Sequence, residues 1–161
     1  MKLRKLIGEA VIITGLMATA AQAEAVVNVT LIDKLGAGDM GKAVRLGMGL
    51  HANMKMAKMG LNINPKVVPH GMVKFNVTNL ASSQIHEVIV ARVADENQVL
   101  AYDESKNMVD EETVAALGSV KEIAPNKTAS LTVELTPGKY LLYCNVPGHY
   151  MAGMWVLMDV Q

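Results

Sequence analysis

The chain has one cysteine, one phenylalanine and one tryptophan in 161 residues. A single cysteine cannot close an internal disulfide, and it excludes a cysteine-rich zinc module. Neither sign of charge is in excess, since Lys plus Arg and Asp plus Glu both number 15. That balance gives no support to a nucleic-acid binder, which carries a basic patch. The apolar run from Ala10 to Ala20 falls far short of the roughly 20 residues that span a bilayer. At 51% hydrophobic and 19% charged, the chain is neither disordered nor fibrous, and its length fits one domain. What it has in quantity is methionine, with 12.

The first residues read as an export signal. Lys2, Arg4 and Lys5 form a basic start, the Ala10–Ala20 run follows, and Ala21-Gln22-Ala23 has the A-x-A form of a cleavage site. Removing residues 1–23 leaves 138 residues with 12 basic and 14 acidic side chains, a net charge of −2. A chain of that size buries a core without disulfides. The expected location is the periplasm or another exported compartment, with no membrane span after cleavage. A free thiol there needs burial or a bound partner.

Period-two runs dominate residues 24–161. Val27, Val29 and Leu31 alternate with polar neighbours, as do Val73, Phe75 and Val77, and Leu131, Val133 and Leu135. Val88 and Val90 follow His86 on the same parity. Tyr140–Tyr143 and Trp155–Met158 are apolar on both parities, as central strands are. Pro69-His70-Gly71, Pro125-Asn126-Lys127 and Pro137-Gly138 punctuate them. The pattern predicts an all-β sandwich or barrel with one short helix, capped by Asp110 and closed by Gly118. His70 reads as a surface turn residue. Residues 95–112 hold seven acidic side chains against Lys106 alone. They read as a solvated loop or as a surface that steers a cationic partner.

The informative segment runs from Tyr143 to Met154. Cys144, His149 and Met154 stand there at C-x4-H-x4-M, between two apolar strands. A thiolate, an imidazole and a thioether on one loop suit a soft or borderline transition metal. Cys with two His and a weak axial Met is the blue-copper set, so a second His is required, and His86 at a strand start is the best placed. Zinc gains little from the Met154 thioether. A Cys-His hydrolase would need an oriented base and a cleft, and no third partner is evident. Met48, His51, Met54 and Met56 lie together in a Met- and Gly-rich stretch, residues 33–60. They read as flexible packing or as a second Cu(I) site.

The sequence resembles the cupredoxins, the type 1 blue copper proteins. Gly71–Asn79 followed by His86-Glu87-Val88 is similar to their first ligand region. Pro137-Gly138-Lys139-Tyr140, Tyr143-Cys144, Pro147-Gly148-His149 and Gly153-Met154 are similar to their second. The likeness covers about residues 61–160, and the ligand spacing is that of rusticyanin- and auracyanin-like members; residues 33–60 look like an insertion. The resemblance implies a Greek-key β-sandwich holding one copper, Cu(II)/Cu(I), through His86, Cys144, His149 and Met154. It implies a non-enzymatic electron carrier with a cytochrome or oxidase as redox partner. In such a protein the His149 edge lies in an apolar patch, here with Pro147, Tyr150 and Met151 as neighbours, while Asn145 and Gly148 are placed to hydrogen-bond around the sulfur. The alternative is a periplasmic copper carrier, storage or oxidase-assembly protein centred on the Met-rich segment.

Overall fold

The computed structural model describes residues 23–33 and 59–161. The export signal apart from Ala23, and the group Met48, His51, Met54 and Met56, lie outside the described residues. Among the described residues no helix is long and apolar enough to cross a membrane.

The alternating runs form strands. They are β1 (Ala25–Ile32), β2 (Gly60–Asn64), β3 (Val67–Val68), β4 (Gly71–Asn79), β5 (His86–Val93), β6 (Tyr102–Asp103), β7 (Met108–Val109), β8 (Ala116–Ile123), β9 (Thr128–Leu135), β10 (Gly138–Tyr143) and β11 (Trp155–Val160). One sheet has the order β2-β1-β4-β9 and the other β3-β11-β10-β5-β8. Strands β1 and β4 pair in parallel, and the other long pairs are antiparallel. The chain crosses between sheets after β2, β3, β4, β8 and β9, which gives the expected Greek-key sandwich. Gly60, the last residue of the stretch 33–60, is the first of β2.

Alternation puts one parity of each strand into the space between the sheets. Val27, Val29, Leu31, Val73, Phe75 and Val77 face Val88, Val90, Tyr140, Leu142 and Met158 in one buried cluster. The opposite parity of β5 and β10 is buried as well. Ile89, Ala91, Leu141 and Tyr143 pack with Leu100, Val109 and Tyr150 on the outer face of the second sheet. The excursion through residues 94–115 covers that face. Two cores explain why Tyr140–Tyr143 is apolar on both parities.

The helix expected from Asp110 to Gly118 is one 3-10 turn, Glu111–Thr113. Its cap is as read: the Asp110 carboxylate accepts from the Glu112 N–H at 3.1 Å. Its end is not. From Ala116 the chain is strand β8, with Val88 opposite Val120 and Val90 opposite Gly118. Gly118 serves there as a close-packing residue. A β-carbon on it would meet Leu131 Cδ1 at 3.1 Å and Val133 Cγ2 at 3.3 Å, across the sandwich. Pairing with β5 overrides a weak local helix signal.

Candidate metal centre

Two separate pieces of chain deliver the donors. His86 opens β5. Cys144 follows the last residue of β10, and His149 lies on the loop leading to β11. Tyr143 pairs with Ile89 on one side and Trp155 on the other, so the loop emerges beside the start of β5. The Cys144 N–H donates to the Met154 carbonyl at 3.0 Å, and the Met154 N–H to the His149 carbonyl at 3.1 Å. These bonds close the loop at its neck and place Met154, fully buried, beside Cys144 in the sandwich core. Gly148 holds φ +83°, a conformation that favours glycine, and donates to the Asn107 carbonyl at 2.7 Å.

The donor atoms of His86, Cys144 and His149 all lie within 4.8 Å of one another, and all three residues are buried. Both imidazoles turn Nδ1 inward. The two Nδ1 atoms are 3.1 Å apart, and the Cys144 Sγ lies 3.9 Å from His86 Nδ1 and 3.5 Å from His149 Nδ1. Two nitrogens with one sulfur, converging in a water-poor pocket, fit a borderline metal. The expected ligands His86, Cys144 and His149 thus come together. Met154 sits at the loop neck, and His70 is exposed, with Nδ1 3.0 Å from the Gln161 carbonyl.

Burial sets the electrostatics. It pushes the Cys144 thiol up to about 11, while the backbone N–H groups of Glu87 and Val146 oppose the rise by hydrogen-bonding the sulfur. Burial first, and the neighbouring His86 second, hold the His149 imidazole below its ordinary value, with Asp33 opposing. A neutral imidazole is the form that binds metal.

The sulfur's hydrogen bonds differ from expectation. The Glu87 N–H donates to Sγ at 3.5 Å. Asn145 works further out: its side chain donates to the Val109 carbonyl at 3.0 Å and to Glu111 at 2.9 Å, and accepts from the Val109 N–H at 2.7 Å. Its own N–H donates to the Glu87 carboxylate at 3.0 Å. Glu87, 7% exposed, therefore ties β5 to the ligand loop, and burial raises its carboxyl above the ordinary range. Tyr150 does not join a surface patch. It is 1% exposed and stands edge-on to Tyr143 at 5.8 Å, because the second core claims it. Pro147 is exposed and Met151 half-buried. Sequence reasoning assigned no role to two partners, Glu87, which adjoins His86, and Asp33, which lies far in sequence from every expected ligand. Asp33 Oδ1 lies 2.8 Å from His86 Nε2, joining residues 53 apart.

The family model of copper binding proteins, the plastocyanin/azurin family, matches residues 51–161. The chain belongs to this family. Comparison with curated protein sequences returns no match. Among solved structures this cupredoxin is similar to rusticyanin from Thiobacillus ferrooxidans, at 15% identity over 86% of this chain and 79% of that one, with a TM-score of 0.51. Auracyanin A from Chloroflexus aurantiacus gives 17% identity over 85% and 100% of the two chains, at a TM-score of 0.49. Auracyanin from Roseiflexus castenholzii gives 18%, 62% and 86%, at 0.46. The rusticyanin likeness agrees with the sandwich fold. Copper is the cofactor of the family, and the cluster of His86, Cys144 and His149 fits one type 1 copper site. Electron transfer is general among cupredoxins, which are typically carriers rather than enzymes.

Proposed function

We propose that His86, Cys144, His149 and Met154 hold one copper and that the protein carries single electrons between redox partners outside the cytoplasm. The observation behind this reading is the convergence of two imidazole Nδ1 atoms and one thiol on a buried point, with a buried thioether beside the thiol. When bound, copper supplies a one-electron couple, Cu(II)/Cu(I). The chain supplies the rest. Cys144 gives up its thiol proton and becomes the thiolate donor. His86 and His149 stay neutral and present Nδ1. Met154 supplies a weak thioether, and the two-sheet scaffold excludes water and holds one arrangement of donors for both oxidation states. Four protein donors leave no open position for a substrate, which favours electron transfer over catalysis.

Residues 1–23 serve in this reading as the export signal, and residues 24–161 as the copper domain. A basic cytochrome or the basic rim of an oxidase suits the acidic segment 95–112. The test is visible absorption of the copper-loaded protein. An intense thiolate-to-copper band is expected, and Cys144→Ser should abolish it. A colourless protein that takes up Cu(I) would instead support the carrier reading.

A further inference from the structure

The strongest feature that the ligand set does not use is the carboxylate behind His86. The chain leaves β1 at Asp33; one hydrogen bond ties that end to the turn before His86, and the Asn79 side chain braces the turn itself. The Leu80 N–H donates to the Leu31 carbonyl at 2.9 Å. The Asn79 side chain donates to the Gln84 and Ile123 carbonyls at 2.9 and 2.8 Å, and accepts from the Ala81 N–H at 2.9 Å. The end of β1 and the start of β5 are thus held as one unit, with Asp33 Oδ1 2.8 Å from His86 Nε2. The His86 side chain is fully buried and that of Asp33 is 16% exposed.

An ionised carboxylate only accepts hydrogen bonds, so the proton of a neutral His86 ring sits on Nε2. The Nδ1 lone pair is then left facing His149 and Cys144. Carboxylate partners of this kind fix the tautomer of a metal-binding imidazole and raise its basicity. Largely withdrawn from water, the carboxylate charge also acts at low screening, and it favours the more positive of two metal states. We infer that Asp33 is a positioning residue that locks His86 with Nδ1 free and holds the copper potential down by stabilising Cu(II) over Cu(I). The inference rests on the copper reading above, and it adds a residue remote in sequence from every ligand.

The test uses Asp33→Asn in the full exported chain. Asn has nearly the same shape and still accepts at Oδ1, so a packing role alone would leave the site unchanged. With the charge gone, the thiolate band should remain. The ratio of Cu(II) to Cu(I) affinity should fall about tenfold, which is a rise in potential of about 59 mV by voltammetry. In the apo-protein the His86 Nε2 proton should give a downfield, slowly exchanging NMR signal that Asp33→Asn moves upfield. An unchanged potential with an unchanged proton signal overturns the inference. Should Asp33→Asn fail to fold, the wild-type apo spectrum decides: an Nε2 proton in fast exchange with water, or a proton on Nδ1 instead, rejects it. Failure of the copper reading looks different, since the wild type itself would then lack the thiolate band.

Discussion

At the scale of single residues, burial rather than neighbouring charge shapes the centre. Desolvation pushes the Cys144 thiol up to about 11, so the apo-protein keeps a neutral thiol at pH 7. The sign of the linkage follows. The folded state holds this proton above the unfolded value, so the stabilisation is complete below about 9 and is lost as pH rises towards about 11. Thermal melts of the apo-protein should therefore fall over that window, and Cys144→Ser should remove part of the fall. The buried phenols of Tyr143 and Tyr150, also raised by desolvation, contribute to the rest. Met154 offers a second test of the proposed ligand set. A weak axial donor bears on potential more than on affinity, so Met154→Leu should keep a coloured site and raise the potential in voltammetry. Loss of copper would mark Met154 as a structural ligand. Cys144 and His149 are readable in the sequence because a loop keeps its side chains at fixed spacing, and Met154 is proposed as a ligand on the same ground. Asp33 is not readable, because a carboxylate that meets the site from the other sheet has no spacing to betray it, and Glu87, although next to His86, carries no local cue that its side chain turns back to the Asn145 N–H.

At the scale of elements, the strands were legible wherever one face met the core and the other met water. Val73, Phe75 and Val77 are fully buried while Lys74, Asn76 and Thr78 are half-exposed, as the alternation of β4 requires. The segment after Asp110 misled because its cues are local, whereas its structure is decided by β5. Ala116 and Leu117 are exposed on β8, so no apolar face announced a strand. Gly118 looked like a helix stop and is a contact point against β9. Gly118→Val should overpack Leu131 and Val133 and cost about 1–3 kcal/mol in denaturant unfolding. Unchanged stability would mean that the two sheets separate there at little cost. Asn145 is the corresponding device for the ligand loop, because it binds both backbone groups of Val109. Asn145→Ala would leave the Val109 N–H and carbonyl buried without their partner. The expected loss is about 1–3 kcal/mol per unsatisfied group, with faster hydrogen exchange in β6 and β7.

At the scale of the whole molecule, the acidic excursion, which the sequence presents as a solvated loop or as a steering surface, also covers the second core. Its apolar residues Leu100 and Val109 roof the second core, while Asp95, Glu96, Glu104 and Glu112 are exposed. The charges of the excursion are not all disposable. Asp103 accepts from Ser105 and Lys106 and pairs with Lys106 at 3.0 Å, which holds its carboxyl far below the usual range. Glu111 binds Asn145 and pairs with Lys121 at 3.2 Å. Neutralising either would disturb the roof as well as the field. Glu104 and Glu112 are exposed, and they flank a roof joined to the ligand loop through Asn107 and Gly148. Negative charge so close to the loop should raise the encounter rate with a cation and change the affinity little. The double variant Glu104→Gln, Glu112→Gln should therefore slow the bimolecular oxidation of the reduced protein by a cationic metal ammine complex. The difference should be largest at low salt and vanish near 1 M, where the Debye length falls from about 10 Å at 0.1 M to about 3 Å. The visible spectrum should stay as in the wild type. Equal rates at every salt concentration would reduce the acidic segment to a solvated roof and leave the surface beside Pro147 and Met151 to dock the partner.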